Sequence, residues 1–170
     1  WQVLGQQVLM GKLNIPVIPP EELAKLELSE YARPRVEQTQ QLAPYGLPSN
    51  LDAWDGYPAA RERLFALLTA HATHPISLAG DTHNGWAFNL TNQKGEAVGV
   101  EWGTPGVSSP GLETYVPLPP EQMQALLKGA SPELVAADTS QRGWTEVTLT
   151  PEAATAQWRF VSSVTEPIYQ

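Results

Sequence analysis

Apolar residues recur at helical spacing in one segment near the middle of the chain. From Tyr57 to about Ala70, the pattern places Ala60, Leu64, Leu67, Leu68 and His71 at helical spacing and turns Arg61, Glu62 and Arg63 outward. Pro58 suits a first helical position, and Asp55 just ahead of it favours the helix dipole. The pattern therefore predicts a helix that stops at His74–Pro75, where the proline cannot continue it.

Short apolar runs on either side of this helix predict strands. The runs are Trp1–Met10, Ile76–Gly80, Trp86–Thr91 and Ala97–Thr104, with a turn at Lys94–Gly95. A helix followed by strands joined through short loops is typical of a sheet with a helix packed on it. The first run is a strand already under way, without a turn or cap before it, so we expect the chain to be the later part of a longer protein.

The pattern changes after Pro110–Gly111. The segment from Pro119 to Gly129 predicts a helix with proline at its start and glycine at its end, and Ser131–Glu133 predicts a single further turn. Two segments at the end of the chain, Trp144–Thr150 and Ala156–Val164, predict strands, and in the second Ala156, Trp158 and Phe160 alternate with Gln157 and Arg159. We expect them to form a hairpin at an edge of the sheet.

Residues 11 to 55 have the least regular pattern. Prolines interrupt this stretch repeatedly, and the chain as a whole has 16 among its 170 residues, about twice the usual share of ~5%. A short helix is predicted from Pro20 to Leu26, with acidic residues in its first turn. The rest is predicted to be a long loop, and loops of that length inside a domain are usually functional or disordered. Its aromatic and acidic end, up to Tyr57, favours a functional loop.

The length and composition of the chain exclude several classes of protein and of binding partner. The chain is long enough to bury a core without crosslinks, and we treat residues 1–170 as one domain or part of one. A net charge of -8 disfavours a nucleic-acid backbone or an anionic membrane as the main partner, because both would repel the chain. No cysteine is present, which excludes disulfides, thiolate metal sites and cysteine nucleophiles. No apolar run approaches the roughly 18 residues of a membrane span.

The loop from Gly80 to Trp86 carries the strongest candidate chemistry. An apolar strand ends at Gly80 and is followed directly by Asp81 and His83. In extended backbone these side chains point the same way, so a carboxylate and an imidazole could reach one metal ion or a pair of ions. Ligands of α/β sheets also bind just beyond strand ends. The alternative is an aspartate that bonds its own loop backbone beside a surface histidine.

Three other groups of residues are weaker candidates. His71 and His74 are either metal ligands or contacts to the carboxyl end of a helix. Asp52, Trp54, Asp55 and Tyr57 are either site residues or a helix start with buried aromatic side chains. Ser108 and Ser109 lack the glycine pattern of a nucleophile elbow, which favours a turn. Glycine-rich phosphate-binding motifs are missing from the sequence.

Taken together, several stretches resemble one family, the alkaline phosphatase D (PhoD-like) metallophosphoesterases. They occur in the family's order along the chain: Trp1–Met10 (WQVLGQQVLM), Trp54–Arg63 (WDGYPAARER), Leu78–Phe88 (LAGDTHNGWAF), Val100–Pro110 (VEWGTPGVSSP), Ala137–Trp144 (ADTSQRGW) and Trp158–Val161. Each stretch alone is a weak signal, whereas the ordered set is specific. The resemblance covers the later half of the family's catalytic domain.

The resemblance implies the second half of a four-layer α/β/β/α sandwich and the hydrolysis of phosphate mono- and diesters. It implies calcium and iron as cofactors, a phosphate ester as substrate, and export from the bacterial cytoplasm. Asp81 and His83 match the family's metal-binding motif, with Asn84 and Trp86 beside the ligands or in the packing around them, and Asp52 to Tyr57 match a stretch that shapes the pocket. The family's other ligands and the upstream half of its domain precede Trp1, so we expect this chain alone to be inactive.

Two other functions fit the sequence. The chain has six tryptophans, and a β-rich module could use exposed ones to bind a partner or a carbohydrate. Alternatively, the chain is a complete hydrolase with a single metal ion, in which His71 or His74 supplies a further ligand.

Overall fold

Five strands form one mixed sheet, with helices packed against it. The computed structural model describes residues 1–166, in which the elements are β1 (Gln2–Gly5), α1 (Pro20–Leu23), α2 (Ala32–Leu42), α3 (Pro58–His71), β2 (Pro75–Ala79), β3 (Gly85–Thr91), β4 (Ala97–Gly103), α4 (Pro120–Ala130), β5 (Leu134–Asp138), β6 (Gly143–Leu149) and β7 (Ala154–Phe160). The order in the sheet is β1-β2-β4-β3-β5. β1, β2 and β4 are parallel neighbours, whereas β3 runs antiparallel to β4 and β5. The fold is of the α/β class, as predicted.

The central elements lie where the hydrophobic pattern predicted them. α3 begins at Pro58 and ends at His71, and β2 to β4 follow with a turn whose Gly95 has φ of +79°. α4 starts at Pro120, and β6 and β7 form the predicted antiparallel hairpin. None of the helices in the described part of the chain is both long and apolar enough to cross a membrane.

Three predictions of local structure were wrong. The first strand covers Gln2–Gly5 and not Trp1–Met10. The loop predicted over residues 11 to 55 contains an 11-residue helix, α2, whose Pro34 lies in the first turn, where its missing N–H costs nothing. The predicted turn at Ser131–Glu133 is present, closed by a hydrogen bond of 2.9 Å from the Leu134 N–H to the Ser131 carbonyl, and it leads into strand β5, which pairs with β3. The β6–β7 hairpin forms a separate two-stranded sheet and does not extend the main one.

The core lies where α3, α4 and the long loop cover the sheet. Its largest side chains are those of Phe65, Trp86, Phe88 and Met123, each at most 2% exposed. Arg61, predicted to face outward, is instead 1% exposed. It is buried because its guanidinium forms an ion pair of 2.8 Å with Glu133 and lies 4.2 Å above the ring of Phe65.

Residues 10 to 14 are held by side chains rather than by a strand. Each backbone N–H of this segment donates to a side-chain oxygen. The acceptors in order are Glu101 for Met10 and Gly11, Glu133 for Lys12, Asp55 for Leu13 and Ser131 for Asn14, at 2.7 to 3.1 Å. Burial raises the pKa of both Glu101 and Asp55 above the usual value, because a charged carboxylate loses its water. The segment is therefore fixed without a regular ladder of hydrogen bonds.

Candidate functional site

The predicted site lies at the edge of the sheet where three parallel strands end. β1, β2 and β4 are parallel neighbours, so their carboxyl ends meet at one edge. Beyond that edge the backbone N–H of Gly80 donates to the carbonyl of Gln7 at 3.0 Å, and the N–H of Thr104 donates to that of Ala79 at 2.9 Å. These bonds bring three loops together, and the loop after β2 is central among them.

The loop after β2 has an unusual backbone. Asp81 and His83 have φ of +66° and +61°, the left-handed region that non-glycine residues rarely occupy. Between them the N–H of Thr82 donates to the carbonyl of Gly80 at 2.8 Å, and the Thr82 hydroxyl accepts from Trp86 Nε1 at 2.6 Å. Such conformations persist where surrounding contacts enforce them, often at functional sites. Asp81 and His83 account for two of the three non-glycine residues with positive φ in the described chain.

Asp81 is an exposed carboxylate held on one side. Its Oδ1 accepts a hydrogen bond of 3.2 Å from Gln7 Nε2, in the loop after β1. Oδ2 forms no hydrogen bond with residues 1–166. The carboxylate thus has an oxygen available to a ligand from outside.

His83 is held through one of its two ring nitrogens. Nδ1 lies 2.9 Å from the carbonyl oxygen of Pro110. A carbonyl only accepts hydrogen bonds, so this contact requires the proton on Nδ1. In the neutral ring Nε2 then carries the lone pair, which is the arrangement of histidines that bind metals. The structure therefore presents Nε2 of His83 as a donor atom.

The Pro110 carbonyl is itself fixed by its neighbours. The next two backbone N–H groups donate to side chains, Gly111 to Glu113 Oε1 at 3.1 Å and Leu112 to Asn84 Oδ1 at 3.2 Å. Glu113 in turn forms an ion pair with Arg142, which is 8% exposed. A Cβ on Gly111 would lie 2.2 Å from Asn84 Nδ2, so a larger residue there would displace the Asn84 side chain. We call Asn84, Gly111, Glu113 and Arg142 the Pro110 clamp.

A cavity of about 500 Å³ opens beside His83. Its walls come from α2, α4, the segment from 13 to 18 and the loops at 82–86 and 110–116, and are mostly apolar. Representative lining residues are Ile18, Val36, Trp86, Met123 and Leu127. Thr82, His83 and Asn84 border the cavity, whereas Asp81 does not. Of the two candidate ligands, His83 alone is part of the cavity wall.

The segment from Asp52 to Tyr57 does not line this cavity. Asp55 is engaged by the N–H of Leu13, and Trp54 Nε1 donates to Gln6 Oε1 at 2.7 Å. Asp52 and Tyr57 are exposed. Through Gln6 the segment supports the loop that carries Gln7, so a role in shaping the site stays a prediction.

The other candidates lie apart from this site. His71 ends α3, and the ring of His74 lies 5.3 Å from that of Trp1. Neither histidine lines the cavity, and Ser108 and Ser109 are exposed in a loop. Within residues 1–166, no three His, Asp or Glu side chains converge as a metal site would require. Asp81 and His83 fit a metal as one oxygen and one nitrogen donor of a larger set.

Sequence reasoning missed most of the groups that hold the loop. Gln7 and Arg142 lie inside the stretches that resemble the family, but neither has a local pattern that marks its contact. Their partners are far away in the sequence, 74 residues for Gln7–Asp81 and 29 for Arg142–Glu113. The cavity was missed because one of its walls is the unpredicted helix α2.

Comparisons with known proteins agree on one family. A family model described as PhoD-like phosphatase matches residues 1–158. Alkaline phosphatase D of Bacillus subtilis (strain 168) is 30% identical over 123 residues, which cover 69% of this chain and 20% of that protein. A solved structure described as "Structure of PhoD" matches with a TM-score of 0.63 at 23% identity. The match covers 100% of this chain and 28% of the chain in that structure. The chain thus spans about a fifth of the length of the curated relative it matches.

Proposed function

The chain belongs to the PhoD-like phosphatase family, and from that premise we propose that it forms part of the active site of a metal-dependent hydrolase of phosphate mono- and diesters. The observation that carries the proposal is the loop after β2. It presents an aspartate and a histidine, both in left-handed backbone, at the carboxyl ends of parallel strands. The family supplies the reaction class, and this loop supplies the residues.

In this proposal Asp81 and His83 are metal ligands. His83 binds through Nε2, since Nδ1 faces the Pro110 carbonyl, and Asp81 binds through the oxygen that Gln7 leaves free. Asn84 and Trp86 keep the loop in shape from beneath it, Asn84 by accepting from Leu112 and Trp86 by donating to Thr82. The supporting observation is that each ligand has one atom engaged by the protein and another available.

The cofactors proposed from the family resemblance are calcium and iron. Bound metal ions would lower the pKa of a water molecule and neutralise charge on the phosphoryl oxygens. The two donors of this chain are too few to hold such ions, because calcium alone takes roughly six to eight oxygen ligands. We propose that the remaining donors come from other parts of a family-length protein.

Four further proposals follow from the family and from the share of its length that this chain covers. Residues 1–170 are a domain or part of a domain that packs against the other half of the catalytic domain. The chain alone is inactive, because the ligand set is incomplete. The protein that carries it is exported. A phosphate ester is its substrate.

The test is substitution of the two ligands in a family-length protein that carries this segment. Asp81→Ala or His83→Ala should abolish hydrolysis of 4-nitrophenyl phosphate and lower the metal content of the purified protein. His71→Ala is the matched control, because it removes an exposed histidine at the end of α3. Near wild-type turnover and metal content in both ligand variants would refute the assignment.

The alternative of a tryptophan-based binding module has less support. Trp86 is 2% exposed, and Trp1 and Trp144 are the most exposed of the six, at 43% and 52%. Trp1 contacts Thr150 beyond the end of β6, whereas Trp144 lies at that strand's start. Six residues of strand separate these positions by roughly 20 Å. The two rings therefore do not form one binding platform.

A further inference from the structure

The cavity beside His83 indicates which phosphate esters the site accepts. This inference rests on the proposed function, since it assigns a role to the space next to the phosphoryl position. The cavity of about 500 Å³ is within the range of small-molecule sites. It borders His83, one of the two proposed metal ligands, and not Asp81.

The walls of the cavity are mostly apolar, and several of their polar groups already form hydrogen bonds within the protein. Gln40 is engaged at both ends, since Oε1 accepts from Ile18 and Nε2 donates to the Pro16 carbonyl. The Thr82 hydroxyl accepts from Trp86, and Arg35 donates to the Tyr31 carbonyl while stacking 3.7 Å above the Tyr31 ring. Asn84 Nδ2, at the edge of the cavity, is buried without a partner among residues 1–166, so the polar lining groups are committed to the protein only in part.

This pattern discriminates between classes of ligand. A glycerol or sugar group would lose water from its hydroxyls inside the cavity and regain few hydrogen bonds, which costs free energy. An aromatic or branched alkyl group loses nothing of that kind and gains burial against Val36, Met123 and Leu127. We infer that the cavity receives the alcohol portion of the substrate, and that this portion is apolar, of aryl or bulky alkyl type.

The direct test measures binding of 2-naphthol to the chain by NMR, without metal or phosphate. The chain has two methionines, Met123 in the cavity wall and Met10 outside it, so methyl labelling of methionine gives a reporter and an internal control. We expect 2-naphthol to shift the Met123 signal saturably and leave Met10 unchanged. Glycerol and inorganic phosphate at equal concentration should move neither signal. Absence of a Met123 shift, or equal shifts at both methionines, would overturn the inference.

Filling the cavity provides the second arm. Thr39 lines the cavity from α2, whereas its neighbour Gln38 is exposed on the same helix. Thr39→Trp should weaken 2-naphthol binding by roughly tenfold or more, and Gln38→Trp should leave it unchanged. Ser49→Phe fills the cavity from another wall and replaces Thr39→Trp if that variant does not fold. Wild-type affinity in a folded filled variant would contradict the inference.

Activity separates this inference from the proposed function. A family-length protein should hydrolyse 2-naphthyl phosphate with kcat/KM roughly ten- to a hundredfold above that for glycerol phosphate, and Thr39→Trp should remove the preference. Binding of 2-naphthol without hydrolysis of either ester would refute the function and keep the cavity assignment. Hydrolysis of both esters at equal rates would refute the cavity assignment and keep the function.

Discussion

Substitution of Arg61, whose guanidinium is buried, should cause a large loss of stability. The guanidinium donates to three acceptors, Glu133 at 2.8 Å, the Met10 carbonyl at 2.7 Å and the Thr91 carbonyl at 3.0 Å. Arg61 is 1% exposed and Glu133 6%. Arg61→Ala therefore leaves a carboxylate buried without its cation, together with two carbonyls that lose a donor.

The expected loss follows from these contacts. Removing one partner of a buried ion pair costs about 3–5 kcal/mol, because the other charge stays desolvated. Glu133 keeps hydrogen bonds from Lys12 and Thr91, which places the loss from the ion pair at about 3 kcal/mol. The two carbonyls add about 0.5 kcal/mol each, so the total loss is about 4 kcal/mol. A domain of this kind has a free energy of unfolding of about 5–15 kcal/mol, so the variant should be folded but much weakened.

Urea denaturation followed by tryptophan fluorescence measures this loss. With a slope of about 2 kcal/mol per molar urea, the midpoint should fall by about 2 M. Arg63→Ala is the matched control, since Arg63 is exposed on the same helix and its loss should change stability by less than about 0.5 kcal/mol. Equal midpoints for the two variants would show that the Arg61–Glu133 pair does not stabilise the fold as argued.

Two further predictions concern carboxylates that hold backbone near the site. Burial raises the pKa of Glu101 above 4.5, so the folded state binds its proton more tightly than the unfolded chain does, and the free energy of unfolding should fall as the pH rises above about 4.5. Glu101→Gln should flatten that fall in denaturation series at several pH values, and identical slopes for both proteins would contradict the argument. Glu113→Gln removes the charge that pairs with Arg142 and should loosen the Pro110 carbonyl, which contacts His83 Nδ1. Long-range proton–nitrogen NMR spectra should then show His83 in both tautomers, whereas the wild type should show the Nδ1–H form alone. Glu146→Gln, which breaks the exposed pair with Arg159, should leave the His83 tautomer unchanged, and an unchanged tautomer in Glu113→Gln as well would refute the role of the Pro110 clamp.

The apolar pattern of the sequence predicted those helices and strands that contain clear apolar runs or apolar residues at helical spacing. Strands β2 to β4 have apolar runs that match the faces they bury, whereas α3 lies where its apolar spacing predicted it but buries Arg61 and Phe65 and leaves Leu67 58% exposed. α2 escaped prediction because it buries only Ala32 and Val36 and otherwise consists of polar residues around Pro34. Arg61 was assigned to the surface because a charged residue is usually exposed, and the partner that makes its burial possible lies 72 residues away.

The predictable part of the site was its ligand pair, and the rest depends on contacts that only the fold creates. Asp81 and His83 follow an apolar strand within three residues, so a local signal exists. The groups that orient them do not adjoin them: Gln7 comes from the loop after β1, and the carbonyl of Pro110 from the loop after β4. Parallel pairing brings these loops together, because parallel strands place their carboxyl ends at one edge. Knowledge of the strand order would have been needed to find them.

Three carboxylates in this molecule accept hydrogen bonds from the backbone of loops. Glu101 and Glu133 accept from residues 10 to 12, and Glu113 accepts from Gly111. Each holds a segment that does not form a ladder of hydrogen bonds. Residues 10 to 12 lead into the wall of the cavity, and Gly111 follows the Pro110 carbonyl that orients His83. A carboxylate with several backbone donors fixes such a segment more rigidly than water would, since its acceptor geometry is set by a buried strand or turn. Substitutions at these carboxylates should therefore alter the position of the ligand loop and the shape of the cavity as well as the stability of the fold, whereas substitutions at exposed carboxylates such as Glu146 should alter neither.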